Sequence, residues 1–303
     1  MVAAVQEASS SRRFTVRPSN HVCADLVPVA AQGQIPDMSI VALPPEPPQA
    51  SSPAVEWDMT LGMINATVQL DQSIGEGRRK VGTGFLVQAP RPDGTPRVLL
   101  VTAEHVFRVM PNPIARIGWR VAEADGNWRY APGNLNIRTA TGAPLWTQHP
   151  SQDVAVMEIT APEAFARAAI PVGWLADAKT LDEWRMGPGD ELFALGYPHG
   201  LSSNRAGFPI LRSGRISSWP LTPIQHFPSF LLDFNVSQGN SGGPVFWVPA
   251  ATRRAGVPVP TNPFIAGILI KEVQGNGEGI ELGVVAHGQY IRETIARLDQ
   301  SLG

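Results

Sequence analysis

From Trp57 onward the chain is a succession of short apolar or alternating runs, each closed by turn residues, and that texture constrains the fold more than any other feature. INATVQL (Ile64 to Leu70) alternates as a strand with one buried face does. GTGFLVQ (Gly82 to Gln88) and RVLLVTA (Arg97 to Ala103) follow, parted by the turn-rich PRPDGTP. VAVMEI (Val154 to Ile159) closes the first group. ELFALGY, ILRSGRISS, SFLLDFNV, GGPVFWV, FIAGILI and GIELGVVA make a second group. Short strands in open sheets leave unpaired edges, and closure removes them. The expected fold class is therefore all-β: two six-stranded antiparallel β-barrels followed by a C-terminal helix. That helix is read from GQYIRETIARLDQSL, which sets Tyr290, Ile291, Ile295 and Leu298 on one face.

The expected boundaries are a first barrel over about 58–160, a linker over about 161–187, a second barrel over about 188–286 and a helix over about 288–301. The linker holds a short helical stretch at PEAFARAA. Residues 1–55 differ in kind. Pro28, Pro36, Pro44, Pro45, Pro47, Pro48 and Pro53 break any periodicity there, and a disordered or extended segment is expected. It is read as a passive tail, with a regulatory partner docking through it as the alternative. Residues 56–303 are expected to form the folded domain.

Composition removes several function classes. The formal net charge of -2 gives no pull toward nucleic acid. No apolar run approaches the roughly 20 residues of a membrane span. The opening MVAAVQEASSSRRF is too polar for the core of a signal peptide. A cytoplasmic location is expected for the chain as given, and a periplasmic or secreted one if its N-terminus is incomplete. A single cysteine, Cys23, excludes an intrachain disulfide. The six histidines stand at no metal-ligand spacing, so neither metal nor other cofactor is expected. GNGEG (Gly275 to Gly279) lacks a following helix and is read as a hairpin tip.

Three short motifs carry chemistry. In GNSGGP (Gly239 to Pro244), glycines flank Ser241 and allow a tight backbone turn. A serine hydroxyl is a weak nucleophile unless a base lies within hydrogen-bond reach. VTAEHV (Val101 to Val106) offers His105 just past a buried strand, and SQDVAV offers Asp153 at the start of another. The same glycine-flanked serine also satisfies the G-x-S-x-G elbow of another hydrolase fold. That fold needs an acid and then a histidine after the serine, where only His287 stands, and the strand–helix alternation it requires is missing.

The combination TAEHV … QDVAV … GNSGGP resembles the trypsin-like serine peptidase superfamily, in particular its bacterial, disulfide-free members. GTGFLV, LGYPHG, FIAGILI and GVVAHGQYI extend the likeness over about residues 58–300. The resemblance implies a serine endopeptidase that works on protein or peptide substrates. His105 would be the base, Asp153 its orienting carboxylate and Ser241 the nucleophile. The amides of Gly239 and Ser241 would form the oxyanion hole. It also implies a specificity pocket with Asn235 at its base, six residues before the serine, and Leu269 and Ile270 on its wall. Asn240 stands where relatives activated by N-terminal cleavage carry an aspartate, which implies a site competent without that cut. The alternative is a catalytically silent scaffold on the same fold.

Overall fold

The run expected as the first strand divides at Ala66. The computed structural model describes residues 54–274 and 279–302, and it begins with helix α1 (Ala54–Ala66) before strand β1 (Thr67–Ser73). Ile64 to Ala66 are thus helical rather than extended. Thr60, Met63 and Ala66 are buried at a three-residue interval, the spacing of a helix face. The Thr67 hydroxyl closes the last turn by donating to the Met63 carbonyl at 2.8 Å. The Pro-rich segment, Cys23 and most of GNGEG lie outside the described residues.

The first sheet continues with β2 (Arg79–Pro90), β3 (Pro96–Thr102), the short helix α2 (Glu104–Arg108), β4 (Ile114–Ala122), β5 (Trp128–Asn136), β6 (Thr147–Gln148) and β7 (Ala155–Ile159). Its order is β5-β4-β1-β2-β3-β7-β6. The two ends meet through irregular chain: Ile137 N–H donates to the Pro113 carbonyl at 2.8 Å and Leu145 N–H to the Ile137 carbonyl at 2.9 Å. The β4–β5 hairpin turns at Asp125–Gly126, with Gly126 at φ 84°. Most of β5 is solvent-facing, so it carries no apolar alternation to mark it in the sequence.

Helix α3 (Glu163–Ala168) falls at PEAFARAA, β8 (Ile170–Pro171) adds to β2, and α4 (Ala178–Glu183) follows. Asp177 caps α4, its carboxylate accepting from the Thr180 N–H at 2.8 Å. Then come β9 (Glu191–Gly196), β10 (Ile210–Ile216), β11 (Ser229–Asp233), β12 (Pro244–Trp247), β13 (Phe264–Gln274) and β14 (Gly279–His287). These six close into an antiparallel barrel in the order β10-β11-β14-β13-β12-β9. Fully buried Leu232, Val245, Phe246, Trp247, Ile268 and Val285 on these strands belong to the hydrophobic core.

The chain ends in α5 (Gly288–Leu302), which buries Tyr290, Ile291 and Ile295 as the periodicity requires. This helix packs on β6 and β7 of the first sheet and on β13 and β14 of the barrel. An ion pair between Asp299 and the buried Arg97 of β3 fastens it further. No helix among the described residues is long and apolar enough to cross a membrane.

Candidate active site

Strand pairing brings His105 and Asp153 together. Leu99, Leu100 and Val101 run through the core of β3, and the chain leaves it at Thr102 to begin α2 at Glu104, with Ala103 as the N-cap. Val106 and Phe107 pack inward and hold that single turn in place. β7 pairs with β3 in the register Thr102↔Ala155. The residues just outside that pair, His105 and Asp153, are therefore neighbours. Asp153 Oδ1 accepts from the His105 backbone N–H at 2.9 Å, and its Oδ2 lies 2.6 Å from His105 Nδ1.

Burial pushes the Asp153 carboxyl up. The hydrogen bonds from His105, its charge and that of Arg108 outweigh burial and hold the group below its usual range. Asp153 is thus an anion at neutral pH, fixed on one ring nitrogen of His105. Among the described hydrogen bonds His105 Nε2 has no protein partner, which leaves it available to accept a proton.

Ser241 sits in a pair of consecutive turns. Asn240 N–H donates to the Ser237 carbonyl and Gly243 N–H to the Asn240 carbonyl, both at 3.0 Å. Gly239 and Gly242 occupy the third position of each, with φ of 100° and 90°. A side chain at either would also collide with backbone. A Cβ on Gly239 would lie 2.2 Å from the Tyr197 carbonyl oxygen, and one on Gly242 2.0 Å from that of Thr83.

The directions of two amides follow from peptide planarity. The Gln238 carbonyl accepts from His199 N–H at 2.6 Å, so the Gly239 N–H of the same peptide points the opposite way. The Asn240 carbonyl is likewise engaged by Gly243, which turns the Ser241 N–H away from it. Neither amide donates to a protein acceptor among the described hydrogen bonds. His199, in LGYPHG, thus acts through its backbone and takes φ 53° to do so.

Thr83 of β2 joins the serine loop to the first sheet, and sequence reasoning did not single it out. It is fully buried. Its hydroxyl donates to the Gly239 carbonyl at 2.7 Å and accepts from Tyr197 N–H at 3.2 Å. Its N–H donates to the Ser241 carbonyl at 2.9 Å, and its carbonyl accepts from the Thr102 hydroxyl at 2.7 Å. A hydroxyl residue between two glycines in a buried strand was the available signal.

His105, Asp153 and Ser241 line one cleft of about 670 Å³. Val236, Ser237, Gln238, Ile270 and Lys271 form its far wall, and Arg108 and Val109 its near rim. The Ser241 hydroxyl rests on the Ile270 carbonyl at 3.3 Å rather than on His105. Of the residues expected in a specificity pocket, Ile270 lines the cleft. Asn235 is exposed and is not among the residues that line it; the chain turns sharply just before it, where Phe234 N–H bonds back to the Leu232 carbonyl at 3.1 Å. Leu269 is buried in the core at 1% exposure. A register shift in β13 between Leu269 and Lys271 brings Ile270 and Lys271 to the cleft in succession.

Among solved structures, the chain is similar to a serine endoprotease from Yersinia pestis, at 18% identity and a TM-score of 0.47, covering 81% of this chain and 66% of that one. It is also similar to the HtrA-type protease AlgW with decapeptide, at 16% identity and a TM-score of 0.46, covering 80% of this chain and 67% of that one. The chain therefore spans only about two thirds of the length of these proteins. No curated protein sequence matches it. The family described as trypsin-like peptidase domain matches residues 82–248, more than half of the chain and the whole stretch that carries His105, Asp153 and Ser241. With that match, and with a mostly β fold built on a closed antiparallel barrel, the chain belongs to the trypsin-like peptidase family.

Proposed function

We propose that the chain is an active serine endopeptidase, with Ser241 as nucleophile, His105 as general base and Asp153 as the carboxylate that orients it. The observation that carries this reading is the two-point engagement of His105 by Asp153 in the cleft that also exposes Ser241. The Ser241 hydroxyl turns from the Ile270 carbonyl toward His105 Nε2. Its oxygen attacks the scissile carbonyl carbon while its proton passes to Nε2. The oxyanion is met by the Gly239 and Ser241 amides, each donor commonly worth roughly 3–4 kcal/mol in the transition state. The imidazolium then gives its proton to the leaving nitrogen as the carbon–nitrogen bond breaks. Water, deprotonated by the same ring, cleaves the acyl-enzyme. Asp153, held as an anion, stabilises the imidazolium and keeps the proton of the neutral ring on Nδ1.

The cleft supports a preference for substrates without a basic side chain before the scissile bond. Among the described residues that line it, Arg108 and Lys271 are cationic, the one carboxylate, Asp153, is committed to His105, and Val236 and Ile270 offer apolar wall. A lysine or arginine would lose hydration there without gaining a counter-charge. Residues 56–303 are the peptidase domain in this reading, and residues 1–55 lie outside the chemistry.

Peptide-library digestion by the wild type and by Ser241→Ala, His105→Ala and Asp153→Asn tests the assignment. Cleavage is expected for the wild type alone, with substrates carrying an uncharged residue before the cut favoured over those with arginine or lysine. Near-normal turnover in any of the three variants would overturn the roles. A folded, wholly inactive wild type would favour the silent scaffold.

A further inference from the structure

The turn that presents Asp153 is held from behind by a histidine outside the cleft. His149 follows β6 and is 7% exposed. Its Nδ1 accepts from the backbone N–H groups of Ser151 at 3.2 Å and Gln152 at 3.0 Å. A ring nitrogen that accepts two donors carries no proton, so the proton of the neutral ring is on Nε2. Nε2 lies 3.0 Å from Glu293 Oε2 on α5 and donates to it. The other oxygen of Glu293 accepts from Gln289 Nε2 at 2.8 Å. The ring stands edge-on to Tyr290 with centroids 5.0 Å apart. Backbone bonds close the same turn: His149 N–H to the Val154 carbonyl at 2.9 Å, and Val154 N–H to the Gln152 carbonyl at 2.8 Å. Asp153 lies inside this loop.

We propose that His149 is a positioning residue for the His105–Asp153 pair, capping the Asp153 turn with Nδ1 and tethering it to the C-terminal helix with Nε2–H. An asparagine at the same position would set an acceptor equally far from its Cα and cap both N–H groups, as in an Asx-turn. Its side chain ends there and does not reach Glu293. Histidine performs both tasks because its two nitrogens face opposite ways. A cavity of about 320 Å³, bordered by His149, Tyr290 and Glu293, adjoins the ring and would admit a free imidazole. The kinetic part of this inference rests on the proposed hydrolytic function, and its spectroscopic part does not.

The test compares His149→Ala, His149→Asn and Glu293→Ala with the wild type. One readout is peptide hydrolysis, and the other is the low-field proton resonance of His105 Nδ1–H in its bond to Asp153. His149→Ala is expected to lower kcat about tenfold with KM within about twofold, because misplacement of a reacting group acts on the transition state. Its His105 resonance should broaden or move, and added imidazole should restore part of the rate. His149→Asn should recover most of kcat and the resonance. Glu293→Ala, on the solvent-facing side of the tether, should show a smaller loss of about threefold and decides the matter if His149→Ala does not fold. An unchanged kcat and resonance in His149→Ala, or equal damage in the alanine and asparagine variants, would overturn the proposal. If the resonance responds as expected while the wild type cleaves no peptide, the positioning role stands and the hydrolytic reading fails.

Discussion

Replacing Thr83 by valine keeps the shape of a buried side chain and removes only its hydroxyl. That hydroxyl donates to the Gly239 carbonyl at 2.7 Å and accepts from the Tyr197 N–H at 3.2 Å. Both partners belong to backbone at the junction of the first sheet and the closed barrel, away from water, so valine leaves two buried polar groups unpaired. Each such group costs about 1–3 kcal/mol, which sets the expected loss of stability at about 2–6 kcal/mol. Thr83→Ser retains the hydroxyl and gives up one methyl, a loss of about 1 kcal/mol. The serine loop should feel the first change more than the second, because the Gly239 carbonyl is one of its anchors. Thr83→Val should lower kcat/KM at least about tenfold, and Thr83→Ser much less. Urea denaturation at neutral pH measures the stability difference, and initial rates on one peptide measure the other. The reasoning fails if Thr83→Val unfolds within about 0.5 kcal/mol of the wild type, or if serine is as damaging as valine.

Gly242→Ala should abolish hydrolysis and destabilise the fold, since its Cβ would lie 2.0 Å from the Thr83 carbonyl oxygen at a backbone φ of 90°; a soluble, fully active variant would contradict that geometry. Acid stability should depend on His287, which burial pulls down to about 4, against the opposing bond from the Phe227 carbonyl. In the unfolded chain the imidazole takes its proton near the ordinary value, while the folded chain resists until about pH 4. Between those two values the unfolded state binds more protons, so stability falls as pH drops, by roughly 3 kcal/mol across the window. Denaturation at a series of pH values should show this slope in the wild type and a shallower one in His287→Gln; parallel curves would refute it.

Much of the candidate site was legible in the sequence because the motifs proposed to carry its chemistry are local. GNSGGP needs its glycines within a few residues of the serine, and His105 and Asp153 each abut an apolar strand. What sequence reasoning missed depends on contacts far along the chain. Thr83 acts on residues more than a hundred positions away, and its flanking glycines mark the strand without naming those partners. Strand β5 faces solvent, so it lacks the alternation by which strands are recognised. Helix α1 ends among residues whose apolar spacing fits either element, and its packing against α3, β1, β2 and β8 decides for the helix. Asn235 and Leu269 do not line the cleft, while Ile270 does. Counting back from Ser241 to Asn235, or along β13 to Leu269, assumes uninterrupted register. The bend after β11 and the register shift at Leu269/Lys271 both change which side chain faces the cleft.

The central claim is that Ser241 is an activated nucleophile, and covalent labelling tests it without knowledge of the substrate. The full chain is treated with a fluorophosphonate probe, and intact and peptide-level mass spectrometry locate the adduct. One adduct per chain, on Ser241, is expected, absent from Ser241→Ala and formed much more slowly by His105→Ala. A folded protein that forms no adduct, or forms it equally well without His105, would contradict the account.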